Sequence, residues 1–122
     1  MILADTSVWI EHLRHGEPRL RAALEAERVL IHPFVIGELA CGNLRARGSL
    51  LELLRRLPLA PTATDQEAHT LLHRRKLMGR GIGWIDVHLL ASTALAAPAR
   101  LWTHDRRLAT IAAELKVAVT GP

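Results

Sequence analysis

Ile2-Leu3-Ala4-Asp5-Thr6-Ser7-Val8-Trp9-Ile10, at the very start of the chain, is the stretch whose reading decides the fold. Its three leading apolar residues predict a short buried strand, and the acid and two hydroxyls behind them mark a handover to a helix over 7–13. In an open α/β sheet the carboxyl ends of the strands face the ligand crevice, so an acid placed there stands where chemistry is done. Asp5, Thr6 or Ser7 would equally serve as the N-cap of that helix. Which reading holds depends on whether other acids join Asp5.

The same pattern recurs near the other end of the chain. Arg100-Leu101-Trp102 predicts a strand, Thr103, His104 and Asp105 follow it, and a helix over 106–116 comes next, for which Asp105 is a suitable cap. Between the two copies, His15 and Gly16 break the first helix and Pro18 opens a second, at a position proline favours. A strand is expected at 29–31, then His32 and Pro33 turn the chain into a helix over 34–43. Its stripe of Phe34, Val35, Cys41 and Gly42 also contains Glu38, which is costly to bury charged without a partner or a cation. A Leu-rich helix from Ser49 ends before Pro58, and 59–60 is expected to add a short strand. Thr64 with Glu67 three residues on is a capping box that opens a helix running to about Met78. Gly79, Gly81 and Gly83 predict a flexible, hinge-like loop; a lone Gly-x-Gly-x-Gly without a preceding strand is weak evidence of phosphate binding. A helix then runs over 84–97 with Asp86 in its first turn, where the acid either complements the helix dipole or faces a site. A last short strand is expected at 117–119. Strands alternating with helices define an α/β fold with a mainly parallel central sheet of about four to five short strands.

Composition narrows the class. The chain has 122 residues, suited to a single domain over 1–122, and 49% of them are hydrophobic while only four are aromatic. A lone Cys41 excludes an internal disulfide and reads as a small core residue in a reducing compartment. No leader-like start or uninterrupted apolar span is evident, so the expectation is a cytoplasmic protein with no membrane contact. The formal charge of +4 rests on arginine far more than lysine, and basic residues recur in clusters. Arginine forks suit phosphate contacts, although many such clusters are only solvated helix faces.

Four acids remain to be explained together: Asp5 and Asp105 at strand ends, Glu38 and Asp86 on helices. Two carboxylates about 4 Å apart repel by about 4 kcal/mol at an effective dielectric near 20, so four in one crevice need a cation to stay ionised. Oxygen-only ligands point to Mg²⁺ or Mn²⁺ and to hydrolysis of a phosphodiester. A metal-free mechanism using His12, His88 or His104 would leave the acids unexplained. His69 and His73 have a zinc-capable spacing but no third ligand, and an exposed helix face explains them. Phosphotransfer through an aspartyl group expects Asp-x-Asp, whereas Ser7 stands at the second acid's place. A non-catalytic module holding RNA or a partner through its basic patches is the remaining alternative.

The blocks Ile2-Leu3-Ala4-Asp5-Thr6-Ser7-Val8-Trp9, Ile36-Gly37-Glu38-Leu39, Gly81-Ile82-Gly83-Trp84-Ile85-Asp86-Val87-His88 and Trp102-Thr103-His104-Asp105-Arg106-Arg107-Leu108 closely resemble the PIN-domain ribonucleases, specifically the VapC toxins of bacterial toxin–antitoxin pairs. The resemblance spans nearly the whole chain. It implies a three-layer αβα sandwich and an endoribonuclease dependent on Mg²⁺ or Mn²⁺ that cuts tRNA or rRNA. It also implies inhibition by a VapB-type antitoxin, a homodimer, and operator DNA bound only through the toxin–antitoxin complex. Asp5, Glu38, Asp86 and Asp105 match the family's acidic, metal-binding quartet, and Thr6, Ser7 and Thr103 match hydroxyl positions that orient ligands or water. Arg45, Arg74, Arg75, Lys76, Arg80, His104 and Arg106 are candidate RNA contacts. Because no further acid follows Asp105 in its first helical turn, one resident ion is expected, with another arriving alongside RNA.

Overall fold

A computed structural model describes residues 1–120. The opening strand, β1 (Ile2–Ala4), is the centre of the sheet, flanked by β2 (Val29–Leu30) and β3 (Arg100–Trp102), and both pairings are parallel. In register, Leu3 lies between Leu30 and Leu101. Because parallel neighbours must be reached by crossovers, helices fill every connection: α1 (Thr6–His15) and α2 (Pro18–Glu25) after β1. α3 (Pro33–Ala40), α4 (Arg47–Arg55), α5 (Asp65–Arg74) and α6 (Trp84–Leu95) separate β2 from β3, and α7 (Arg106–Glu114) follows β3. The result is the expected α/β/α sandwich. The strands expected at 59–60 and 117–119 are corrected: each contributes one parallel bridge, Ile31 with Leu59 and Leu101 with Ala118, not a strand. Pro58 and Pro61 bracket the first of these and lack the N–H groups that would extend it.

The core is built on both faces of β1. Leu3, Val8, Leu20, Leu54, Leu90 and Leu108 have no exposed surface. α6 is buried continuously from Val87 to Thr93, as expected of a helix with little polar face. Two expectations for α3 fail. Its buried side is Val35 and Leu39, so Glu38 lies at the exposed edge and Cys41, past the last helical turn, is exposed too.

One buried polar group sits at the joint of three helical segments. His32, fully buried, caps α3 by accepting the Phe34 N–H at Nδ1 (3.0 Å), which leaves Nε2 to donate to Ser92 Oγ on α6 (3.1 Å). Ser92 Oγ also accepts the Ala63 N–H, 3.1 Å away, just ahead of α5. Burial, and then the neighbouring His88, lower the pKa of His32 to about 4. A histidine with a folded pKa below its unfolded value near 6.5 costs nothing above that value. As the pH falls from about 6.5 to about 4 the unfolded chain takes up the proton first, so stability declines by about 3 kcal/mol in all. Urea unfolding across that range should show this decline, and His32→Asn, which keeps a capping oxygen without a titrating ring, should flatten it.

Candidate active site

The acids come from four separate elements; two of them are helix N-caps, and a third, Asp86, closes a capping box from the first turn of its helix. Asp5, at the end of β1 and only 6% exposed, caps α1 by accepting the Val8 N–H (3.2 Å). Asp105, just after β3, caps α7 by accepting the Leu108 N–H (2.9 Å). Asp86, in the first turn of α6, accepts the Gly83 N–H (3.1 Å). Capping and convergence are therefore the same arrangement, since helices that begin at the carboxyl edge of the sheet aim their caps at one place. Glu38 joins them from α3.

Hydroxyls fix the acids. Ser7 Oγ donates to Asp5 Oδ1 (2.5 Å) and Thr103 Oγ1 to Asp5 Oδ2 (2.5 Å), while Thr103 Oγ1 also accepts the Asp105 N–H (3.0 Å). Thr103 thereby ties the ends of β1 and β3 together. Ser7 Oγ accepts the His104 N–H (3.0 Å), and Thr6 Oγ1 donates to Glu38 Oε1 (2.7 Å). All three hydroxyls singled out in the sequence touch an acid of the quartet.

The electrostatics register the crowding. Burial pushes the Asp86 carboxyl above its ordinary value; the Gly83 N–H opposes this, and Asp5, Asp105 and Glu38 add to it through their charges. Among the described residues no three His, Cys, Asp or Glu side chains are drawn together into a ready-made metal cage. Each acid spends at least one oxygen on a hydroxyl or backbone donor. Asp86, Asp105 and Glu38 each keep a second carboxylate oxygen without a donor among the described residues.

The loop ahead of Asp86, expected to be a hinge, is joined to α7 by an ion pair. Arg80 forms a bidentate pair with Glu114 (2.6 and 2.9 Å), which raises the arginine's pKa and lowers the glutamate's through the hydrogen bond they share. Arg80, a candidate RNA contact, has its fork engaged by Glu114 in this structure. Gly81 adopts φ +84°, and a Cβ there would fall 2.6 Å from the Arg107 side chain, so only glycine lets this arginine lie across the loop.

The other cations distribute unevenly. His104 and Arg106 adjoin the acids, with His104 Nε2 3.6 Å from Glu17. Arg45 lines a groove with Ile10, Leu13, Arg14 and Leu44, whereas Arg74 and Arg75 border one of about 450 Å³ between α5 and α6. Lys76 is exposed just past α5, at φ +54°. His12 accepts the Glu17 N–H (3.1 Å) and His88 is buried against Asp65, so both have structural duties.

A parallel α/β/α sandwich with acids at the carboxyl edge of its central strands is the architecture of a PIN domain, and the PIN domain family matches residues 2–114. Over 119 residues, 98% of this chain, it is 49% identical to "Ribonuclease VapC32" of Mycobacterium tuberculosis (strain H37Rv), covering 96% of that protein. The same figures hold for "Ribonuclease VapC32" of strain CDC 1551. The chain belongs to the VapC group of PIN-domain ribonucleases. Among the described residues no helix is long and apolar enough to cross a membrane.

Proposed function

We propose that the chain, acting as one PIN domain, is a toxin-type endoribonuclease that hydrolyses phosphodiester bonds in RNA with Mg²⁺ or Mn²⁺ held by Asp5, Glu38, Asp86 and Asp105. The observation that carries this reading is that acids from four elements lie near enough for Asp5, Asp105 and Glu38 to act on Asp86 through their charges, with Asp5, Asp105 and Glu38 tied down by Ser7, Thr103 and Thr6. A carboxyl whose native pKa is raised favours the protonated form, so its ionisation costs stability as the pH rises through that value. The residues present fit a hard divalent cation: the donor set is all oxygen, and opposite charge would relieve the repulsion. When bound, such an ion lowers the pKa of a water and offsets charge developing on the phosphate.

The protein's own groups supply the positioning. Thr103 holds Asp5 and the backbone of Asp105 in a fixed relation, Ser7 fixes the other oxygen of Asp5, and Thr6 holds Glu38 toward α1. Arg106 and His104 at the rim offer donors to backbone phosphates flanking the cut. The kinship with VapC32 supports a VapB-type antitoxin as inhibitor, a homodimer, tRNA or rRNA as substrate and operator DNA reached only through the complex.

The test is cleavage of total RNA by the purified chain in EDTA, then with Mn²⁺ or Mg²⁺ restored, alongside thermal unfolding. Cutting is expected to vanish with chelation and return with metal, and metal should raise Tm by mass action, an effect that Asp5→Asn weakens. Cutting that persists in EDTA would refute the metal site.

A further inference from the structure

Of the four Phe and Trp side chains, three are covered: Trp9 is buried, Phe34 is half-buried, and Trp102 is half-buried beside the Arg19 guanidinium, 5.3 Å from its ring centre. Trp84 is the exception, 39% exposed at the first position of α6. Its ring is nonetheless held. His69 of α5 lies 4.5 Å away, tilted by 41°, and His88, one turn along α6, meets it edge-on at 4.8 Å. His88 is in turn fixed by a 3.0 Å hydrogen bond to Asp65 and by Phe34, at 5.0 Å between ring centres. On the outer side His73 stacks nearly parallel on His69, 6.1 Å away and 14° apart. A backed row of rings therefore reaches the surface at the end of α6 that carries Asp86. Trp84 and Asp86, two positions apart in one turn, face different sides of the helix. The end of α5 adds Arg74, Arg75 and Lys76, none of which forms an ion pair among the described residues.

We propose that Trp84, extended by His69 and His73, is a stacking platform for an unpaired base of single-stranded RNA that reaches the acid site around the first turn of α6. This rests on the acids being the RNA-cutting site. A base offers a flat π-face to an aromatic ring already fixed by its neighbours, so little side-chain freedom is lost on binding. Arg74, Arg75 and Lys76 at the end of α5 offer charge to phosphates farther along the strand, a contact that carries no sequence information. In a duplex the bases stack on each other, so the platform selects loops and other single-stranded segments. Recognition is thus expected to be tolerant of base identity and intolerant of a missing base.

The test uses a fluorescein-labelled, unstructured RNA oligonucleotide and a series of the same RNA with one abasic position each, bound to the Asp5→Asn protein with RNA integrity checked on a gel. Trp84→Ala is expected to weaken binding about tenfold, and Trp84→Phe to retain most of it. One abasic position should cost the Trp84-containing protein about as much, and should cost the Trp84→Ala protein little, because both changes remove the same contact. Circular dichroism and the thermal midpoint control for folding, and His69→Gln gives a milder variant with a smaller loss. Unchanged RNA affinity of folded Trp84→Ala, or fully additive losses, would overturn the platform and leave Trp84 as an anchor for a protein partner. Absence of cleavage by the parent chain with Mn²⁺ would instead refute the nuclease reading, and the binding measurement does not depend on it.

Discussion

Asp5→Asn is expected to lower RNA cleavage by well over about 100-fold while the chain stays folded. Removing groups that merely orient a metal's ligands costs about 10–100-fold in comparable sites, and Asp5 is proposed as a ligand itself. The substitution preserves the local geometry. Asparagine's oxygen can accept from Ser7 and the Val8 N–H as Asp5 Oδ1 does, and its amide can donate to Thr103 Oγ1 in place of the bond that now runs the other way. What disappears is charge. Since Asp5 is one of the groups that raise the Asp86 pKa, its loss should bring that carboxyl back toward its ordinary value and leave the metal-free protein no less stable. Initial rates on RNA with saturating Mn²⁺, set beside thermal midpoints without metal, separate the two effects. A folded variant cutting at the parent rate would remove Asp5 from the site.

The second large effect is on stability. Leu3→Ala should destabilise the chain by about 2–5 kcal/mol, a large share of the roughly 5–15 kcal/mol that holds a domain together. Leu3 is wholly buried in the central strand, with Leu30 on one side and Leu101 on the other, so neighbours cannot collapse into the space without moving both flanking strands. Tm should fall by about 10 °C or more. Leu53→Ala on α4, at a side chain 54% exposed, provides the contrast and should stay within about 0.5 kcal/mol of the parent. Urea titrations of the two variants measure both values, and equal losses would mean that burial in β1 is not what holds the sheet together.

Much of the fold is legible along the chain because its signals are local. The apolar run before Asp5 and its copy before Thr103 are β1 and β3, and the Thr64–Glu67 capping box forms as the spacing predicts, with bonds of 2.9 and 3.1 Å. Signals that depend on neighbours fare worse. Glu38 shares a helical stripe with apolar residues, yet it is exposed while Val35 and Leu39 are buried, and Cys41 falls beyond the helix. The outer strands shrink to single bridges, as expected where few residues and two prolines leave little to pair. His32 gave no signal beyond standing before Pro33; its bond to Ser92 spans 60 positions. Trp84 was legible only as the start of a helix, and the packing of α5 against α6 leaves its ring exposed and backed.

The sequence by itself determined the alternation of strand and helix, the acids at the ends of two strands, and the family that carries them, because strand runs, caps and motif blocks are written in adjacent residues. Only the tertiary structure decided that the charges of Asp5, Asp105 and Glu38 bear on Asp86. The strand order β2-β1-β3 sets the ends of β1 and β3 side by side, and the Thr103–Asp5 bond closes a separation of 98 positions. The physical reason is that parallel pairing leaves all strand ends on one edge, where each following helix needs a cap. The same acids that begin the helices are thereby gathered into one field, a consequence that no local stretch contains.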